Sequence, residues 1–355
     1  MIPMQLRRTV HWFTVSLMLV VTCLAATKTN GQTTVSRIRQ ADRVTSAVNV
    51  RAGWADLPTG KAWEGLAVDL TKALAAAILS DKDKVGFEVG DRKSGPAKVQ
   101  HEEANLYLPI EPMAPSKLAA DGLVTSQPFF FNVQRIMVRK DAGINTVDEL
   151  VRKPIAVQPG YVNEQNFETA NEQHLRDYFE RTGRTVMEFP FQEWDEMESA
   201  FVSGHVVAVS AEETELGRLR AANHEEVGDA TMLSEVIATE PVSAVLRPDD
   251  PAWEMLVNTT ISVLIRAEEL GITSETIDAD KKSKDPEVLY LLGVRPGIGS
   301  FVGLDDHWAE RVIRAVGNYG QAFKRNLGGD SPLNIERGLN ATWRHGGLLC
   351  TGPIL

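Results

Sequence analysis

A strand–helix–strand pattern near the start of the chain constrains its fold more than any other feature. Apolar residues alternate along residues 48–54, which is typical of a strand, and Gly53 permits a turn at the end of that strand. Residues 65–80 repeat leucine and alanine at helical spacing, and residues 85–89 return to a strand pattern. Because a unit of this kind joins parallel strands, the pattern predicts an α/β protein.

A second α/β pattern occupies residues 145–246. Short apolar strands alternate there with amphipathic helices, and strands near 136–139 and 241–246 lead into the region and out of it. Two such crossings are what a hinged pair of lobes requires. Beyond Pro251 the apolar spacing predicts mainly helices.

Length and charge limit the classes of function. A chain of 355 residues has room for two domains of ordinary size. Its net charge of −11 argues against a nucleic-acid partner, which needs clustered lysine and arginine. The two cysteines are Cys23, in the N-terminal apolar segment, and Cys350, near the other end. Removal of the N-terminal segment would leave one thiol, so we expect no internal disulfide.

The N-terminal segment has the parts of a secretory signal peptide. Arg7 and Arg8 precede an apolar run of about 15 residues that ends in small residues at Ala25 and Ala26. The run is short for a membrane span. We therefore predict that residues 1–31 contain a signal peptide and the start of a linker, and that the protein is exported to the periplasm. An uncleaved anchor is the alternative.

A series of sequence blocks lies along the C-terminal third of the chain, at residues 257–273, 291–294, 303–309, 316–320, 331–333 and 337–343. Two further motifs lie upstream, at residues 62–69 and 157–164. In this order these blocks and motifs resemble one known family, the amino-acid-binding periplasmic proteins of bacterial ABC importers. The resemblance is to family 3 solute-binding proteins, in the general L-amino-acid receptor branch.

The resemblance implies an α/β fold of the two-lobed, type II periplasmic-binding-protein clamshell, with a helical C-terminal extension. Lobe 1 would comprise residues 45–137 plus 242–285, lobe 2 residues 138–241, and the extension residues 286–355. It also implies two partners, a small polar solute such as an amino acid and an ABC permease in the inner membrane. No cofactor is implied.

The resemblance also indicates ionic ligand-binding residues. Lys117 aligns where the family has an arginine that pairs with the ligand carboxylate, and Glu212 where it has an aspartate that takes the ammonium. Glu111 is a second candidate for the ammonium, because burying a zwitterion requires groups of both charges. Lysine cannot make the two-pronged carboxylate contact of arginine. Both Lys117 and Glu212 have an alternative as ordinary solvated residues, Glu212 at a helix start where negative charge is favoured.

A turn and two tryptophans complete the predicted ligand-binding set. Gly160, Tyr161 and Val162 replace the Gly-Thr-Thr turn of the family, and their backbone N–H groups at a helix start are suited to a carboxylate. A glycine turn between a strand and a helix is the alternative. Trp54 and Trp63 could line the pocket and stack on the ligand, or they could simply pack in the core.

The sequence contains no recognised catalytic or metal-binding motif. It has no Gly-x-Ser-x-Gly elbow, no phosphate loop and no His-Glu-x-x-His, and its histidines lack ligand spacing. We therefore predict a binding protein that is not an enzyme and that holds no metal. Two alternatives remain open: a sensor or interaction module that has lost its small ligand, and a dehydratase-like enzyme with Glu111 or Glu212 as acid or base.

Overall fold

The structure is a computed structural model. It describes residues 33–59, 61–159, 162–163, 166–167, 170–248 and 250–354. The predicted signal peptide, residues 1–31, lies outside the described residues. No helix among those described is long and apolar enough to cross a membrane.

Strands and helices alternate along most of the described chain. The strands are β1 Val44–Val48, β2 Val85–Val89, β3 Leu106–Leu108, β4 Val124–Val138, β5 Pro154–Val157, β6 Val162–Asn163, β7 Asn166–Phe167, β8 Met187–Pro190, β9 Ala208–Glu212, β10 Thr231–Met232 and β11 Ala238–Leu246. The α-helices are α1 Thr34–Ala41, α2 Leu66–Leu79, α3 Ser94–Gln100, α4 Pro115–Ala120, α5 Asn171–Arg181, α6 Trp194–Val202, α7 Glu213–Ala222, α8 His224–Val227, α9 Pro251–Glu269, α10 Ile277–Asp280, α11 Pro286–Leu291, α12 Trp308–Val316 and α13 Tyr319–Asn326.

The predicted strand–helix–strand unit is present as β1, α2 and β2. β1 lies parallel to both β2 and β3. The first strand is Val44–Val48, so the prediction of a strand over residues 48–54 was wrong beyond Val48, because the chain turns through residues 51–54. Gly53 has a φ of +76° in that turn, and a Cβ there would lie 2.7 Å from the carbonyl oxygen of Asn326. This close approach requires glycine.

Two long antiparallel strands, β4 and β11, run from one lobe to the other, in agreement with the two predicted crossings. The order of strands in the sheet is β2-β1-β3-β11-β4-β9-β5-β8, with β10 also beside β4. β11 pairs with β3 at Val245 and Tyr107, while the far end of β4 pairs with β9 at Val138 and Ala208. We call the part around β1, β2, β3, α2 and α9 lobe 1, and the part around β5, β8, β9 and α5–α7 lobe 2.

The two lobes have different cores. In lobe 1, one continuous cluster of buried side chains joins α2 and α9 to α12 and α13 of the C-terminal extension. In lobe 2, successive residues of β4 face opposite sides of the sheet, so that Ile136 and Val138 belong to one cluster and Met137 to another. The helices predicted beyond Pro251 are present, and they complete lobe 1.

The C-terminal extension also contacts the crossing strands and lobe 2. The side-chain amide of Asn340 accepts from Phe131 N at 2.7 Å and donates to Phe131 O at 2.9 Å, in the middle of β4. Arg220 on α7 donates from Nη2 to the carbonyl oxygens of Leu333 and Asn334, each at 3.0 Å. The extension therefore contacts both the crossing strand β4 and lobe 2.

Candidate functional site

Two neighbouring cavities lie in the cleft between the lobes. The smaller, of about 350 Å³, we call the arginine chamber. The larger, of about 630 Å³, we call the proline chamber. The arginine chamber is lined by Arg51, Ile110, Gln158, Trp194, Asp195, Thr214, Glu215 and Arg218. The proline chamber is lined by Arg92, Pro112, Met113, Thr125, Pro128, Glu240, Pro241 and Ser243, among others. Glu111, Asn132 and Glu212 line both chambers, and we call these three residues the junction.

The junction is rich in hydrogen-bond acceptors. Glu212 ends β9, and its Oε2 accepts from Asn171 Nδ2 at 3.1 Å. Asn132 lies midway along β4, is 6% exposed, and its Oδ1 is buried with no hydrogen-bond partner among the described residues. Glu111 receives a long contact of 3.4 Å from Arg92 Nη1. A buried acceptor without a donor costs free energy, so this cluster suits a ligand that donates hydrogen bonds.

The electrostatics of the junction favour a cation. The pKa of Glu212 is raised to about 7, mainly by burial and to a lesser degree by the negative charges of Glu111 and Glu215, while the hydrogen bond from Asn171 opposes the rise. A carboxyl group with this pKa is only partly ionised near neutral pH. An ammonium placed beside it would favour the ionised form and offset the cost of burial.

The arginine chamber brings two guanidinium groups from opposite lobes to one carboxylate. On α7, Arg218 donates from Nε to Glu215 Oε2 at 3.0 Å, and its guanidinium lies 5.2 Å from the centre of the Trp194 ring. From lobe 1, Arg51 Nε lies 3.3 Å from Glu215 Oε1. A ligand carboxylate that entered here would find arginines suited to two-pronged contacts and would compete with Glu215 for them.

The wall of the proline chamber is apolar with a few polar groups. Pro112, Pro128 and Pro241 form part of this wall, together with Ser243 on β11. Arg92 stands at its edge and donates from Nη2 to the carbonyl oxygen of Pro112 at 3.0 Å. Each proline has a fixed φ and lacks an N–H group, so the wall is stiff and offers few backbone donors.

The structure brings two of the predicted ionic residues together in the cleft. Glu111 and Glu212 are two of the three junction residues. Lys117 lies exposed on the short helix α4, and the helix start at Pro115 lines the proline chamber whereas Lys117 does not. Contact between Lys117 and a ligand stays a prediction.

The tryptophans pack in the core of lobe 1, which is the alternative that the sequence left open. Trp54 is 0% exposed, and its Nε1 donates to the carbonyl oxygen of Leu108 at 3.1 Å. The ring of Trp63 lies 5.1 Å from that of Phe87 on β2. Neither side chain lines a chamber, and Trp54 has no surface left for a ligand.

The predicted anion-binding turn lies mostly outside the described residues. Gly160 and Tyr161 are not described, and only the backbone of Val162 is, in β6. Their predicted contact with the ligand carboxylate stays a prediction.

Sequence reasoning missed Arg51, Arg218 and Asn132. The sequence contains one signal for Arg218 and another for Asn132. Arg218 follows Glu215 by three residues, which places both on one face of α7, directly after Glu212 at the end of β9. Asn132 alternates with Phe130 along the buried face of β4, where a polar side chain needs a partner. Nothing local distinguishes Arg51, which reaches the site only because the lobes face each other.

Among the described residues, no group of three or more histidine, cysteine, aspartate or glutamate side chains is arranged to hold a metal ion.

Most of the chain is similar to amino-acid-binding proteins of ABC transporters, although no family model matches it. It is 31% identical over 325 residues to the general L-amino acid-binding periplasmic protein AapJ of Rhizobium johnstonii. That match covers 91% of this chain and 93% of AapJ. It is 30% identical over 306 residues to the glutamate/glutamine/aspartate/asparagine-binding protein BztA of Rhodobacter capsulatus. That match covers 85% of this chain and 87% of BztA.

A solved structure agrees with these sequence matches. The periplasmic binding protein of an ABC transporter from Brucella ovis, with glutathione bound, is 31% identical and matches with a TM-score of 0.75. The match covers 91% of this chain and 99% of that one. The described architecture and these similarities agree with the predicted clamshell and its C-terminal extension. The chain belongs to the amino-acid-binding periplasmic proteins of bacterial ABC transporters, with the type II periplasmic-binding-protein fold.

Proposed function

We propose that this protein captures, between its lobes, an amino acid or a related small solute that carries an ammonium and a carboxylate, and delivers it to an ABC permease in the inner membrane. The junction carries this proposal. Asn132 Oδ1 is buried without a donor among the described residues, and it lies beside two carboxyl groups. An ammonium offers three N–H donors, one for each of Asn132, Glu111 and Glu212.

The carboxylate of the solute has its own site in this proposal. It enters the arginine chamber and takes contacts of Arg218 and Arg51 from Glu215. These two arginines stand on different lobes, so a carboxylate between them would stabilise the closed arrangement. Lys117 and the turn at residues 160–162 remain further candidates for this carboxylate, from the family resemblance.

The proposed closure depends on a division of the chain into lobes. We assign residues 45–137 plus 242–285 to lobe 1, residues 138–241 to lobe 2, and residues 286–355 to the extension. Hinge motion between such lobes is a common way to sequester a ligand. Export by the predicted signal peptide within residues 1–31 would place the mature protein in the periplasm.

The relatives support a transport role without catalysis. AapJ and BztA are named as binding proteins, and the Brucella ovis structure holds glutathione. We propose that this protein likewise has no enzymatic activity. The ionic groups in the cleft weigh against a module that has lost its ligand, because unused arginines and carboxylates would have no reason to converge there.

Isothermal titration calorimetry of the purified protein tests the proposal. The panel comprises standard amino acids, glutathione and the N-acetylated form of each. A ligand at about 100 times its dissociation constant should also stabilise the fold by about 2.7 kcal/mol. Acetylation removes the ammonium, so we expect it to weaken binding at least tenfold. Asn132→Leu and Glu212→Gln should do the same to any panel member that binds.

The control is Asn145→Leu, which changes an exposed asparagine of lobe 2. No binding of any panel member would overturn the proposal. Equal binding of a free and an acetylated ligand would exclude the junction as the ammonium site.

A further inference from the structure

One short segment of the C-terminal extension contacts both lobes. We call this segment, residues 333–335, the strap. Leu333 and Ile335 are 3% and 6% exposed, and both belong to the large core of lobe 1. The backbone N–H of Ile335 also donates to the carbonyl oxygen of Leu327, just after α13, at 2.8 Å. The strap is therefore anchored on the lobe 1 side.

On the lobe 2 side, the strap lies against α7. Arg220 Nη2 donates to the carbonyl oxygens of Leu333 and Asn334, each at 3.0 Å. Asn334 has a φ of +45°, a left-handed conformation that asparagine adopts more readily than most residues. Gly217, one turn before Arg220, is buried, and a Cβ there would lie 3.1 Å from both the carbonyl oxygen of Leu333 and Cγ1 of Ile335. The strap therefore approaches α7 as closely as a glycine allows.

The guanidinium of Arg220 depends on the carbonyl groups of the strap. Burial lowers its pKa, and no acidic group among the described residues offsets that effect. A partly buried cation without a carboxylate partner needs other hydrogen-bond acceptors. The carbonyl oxygens of Leu333 and Asn334 supply them. This contact should therefore resist separation of α7 from the strap.

The strap also contacts the turn of lobe 1 that carries Arg51. A Cβ at Gly53, two residues after Arg51, would lie 2.7 Å from Cδ1 of Leu333. On α7, Arg218 stands two residues before Arg220. Leu333 therefore touches both segments that carry the arginines of the arginine chamber.

We infer that the strap sets the distance across the arginine chamber, and that Arg220 and Gly217 are positioning residues that act through it. The crossing strands β4 and β11 allow hinge motion, and the strap adds a connection between the lobes outside those strands. In the ligand-free protein it holds Arg51 and Arg218 at a separation that one carboxylate can bridge, as Glu215 does.

This arrangement has a consequence for binding. Groups that are already held in position cost less free energy to order around a solute than groups that first have to be brought together. The strap would therefore favour capture although it touches no solute. The inference goes beyond the proposed function, and its test needs no identified ligand.

The separation of the lobes can be measured in dialysed, ligand-free protein by electron spin resonance between two labels. Both native cysteines are changed to serine, and the labels are attached at Ala119→Cys on α4 and Glu196→Cys on α6, which are exposed positions on different lobes. Arg220→Met keeps an apolar stem but removes the donors. We expect the mean distance between labels to lengthen by at least about 2 Å, the scale of a domain rearrangement. An unchanged distance would overturn the inference.

Two further variants separate positioning from a loss of stability. Arg220→Lys keeps a cation that can donate to the same carbonyl oxygens, so it should restore most of the original distance. Gly217→Ala raises the intrinsic helix propensity of α7 but pushes the strap away, so the distance should lengthen although the helix itself is favoured. If Arg220→Met does not fold, Gly217→Ala decides the question, and an unchanged distance in that variant would overturn the inference.

Arg181→Met is the matched control, because Arg181 is an exposed arginine of lobe 2 that lines neither chamber. It should keep the distance of the unmodified protein, and an equal lengthening there would overturn the specific role of Arg220. The two proposals fail separately. An unchanged distance leaves the proposed function standing, and a lengthened distance supports the strap even if no member of the amino-acid panel binds.

Discussion

The two lobes divide stability and recognition between them. Lobe 1 has a large core that continues into the C-terminal extension, with Trp54, Trp253 and Trp308 nearly or fully buried in it, and a much smaller cluster that includes Tyr107 and Val245. Lobe 2 has two smaller cores, one on each face of a short sheet. Yet lobe 2 supplies Glu212, Glu215 and Arg218 from one strand–helix unit. The comparison indicates that lobe 1 supplies more of the stability, whereas the smaller lobe 2 supplies more of the charged contacts in the cleft.

We expect the C-terminal extension to be an integral part of lobe 1. Phe323→Ala tests this and should have the largest effect on the free energy of unfolding. Phe323 is 1% exposed on α13, and the guanidinium of Arg337 lies 5.1 Å from its ring. Loss of a buried phenylalanine should lower the free energy of unfolding by about 3–5 kcal/mol, measured by urea denaturation. Phe301→Ala, in the same extension but 71% exposed, is the control and should change it by less than about 0.5 kcal/mol. A small effect at Phe323 would mean that the extension is not integral to lobe 1.

Asn340→Ala should disconnect the extension from the crossing strands. Its amide satisfies both the N–H and the C=O of Phe131, and each buried polar group left without a partner costs about 1–3 kcal/mol. We expect a loss of about 2–4 kcal/mol in the free energy of unfolding. Hydrogen exchange at the Phe131 amide should also become faster. Unchanged exchange there would contradict the bridging role.

Glu212→Gln should stabilise the ligand-free protein at high pH while it weakens the ligand site. The folded pKa of about 7 lies above the ordinary glutamate value of 4.5. The favourable contribution of the protonated group is therefore fully present below about pH 4.5 and is lost as the pH rises through about 7. Relative to the unmodified protein, the variant should gain about 1–3 kcal/mol between pH 4.5 and pH 8.

The same group sets the sign of the pH dependence of binding. An ammonium binds best to ionised Glu212, so the dissociation constant should rise as the pH falls from 8 to 6, approaching tenfold per unit below the pKa. Calorimetry in buffers with different heats of ionisation should detect the proton released on binding. If Glu212→Gln keeps the full pH dependence, another group is responsible.

Arg51→Gln should have the smallest effect on stability. Its side chain is 50% exposed, and its contact to Glu215 across the lobes is 3.3 Å. An exposed ion pair contributes about 0.2–1 kcal/mol, so the free energy of unfolding should barely change. Binding of a carboxylate ligand should nevertheless weaken, because Arg51 faces the arginine chamber. If the free energy of unfolding changed while ligand binding did not, Arg51 would have a structural role and no role in binding the carboxylate.

Much of the fold was predictable because its signals are local. Helix α2 and strand β2 follow the predicted boundaries to within one residue, since apolar periodicity is set within a short window. β3, only three residues long, was not predicted, although it lies between β1 and β11. A strand of three residues is too short to show an alternation of apolar and polar side chains.

The site was less predictable, and its residues show why. Glu212 was identified through alignment to a family motif, and Glu111 through the charge that a buried zwitterion requires. Trp54 was a candidate from its residue type, but its ring packs on Phe129 and Phe130 in the core. Residue type alone cannot separate a pocket wall from a core when both accept an aromatic ring.

The sequence by itself determined the α/β alternation, the two crossings between lobes, the helical extension and the family. These properties depend on local periodicity and on matched blocks along the chain. Only the tertiary structure decided which charges meet. Arg51 and Glu215 are more than 160 positions apart and come within 3.3 Å because the crossing strands bring the lobes face to face. Asn132 Oδ1 has no donor among the described residues because of where β4 enters the cleft, and no local pattern records that environment.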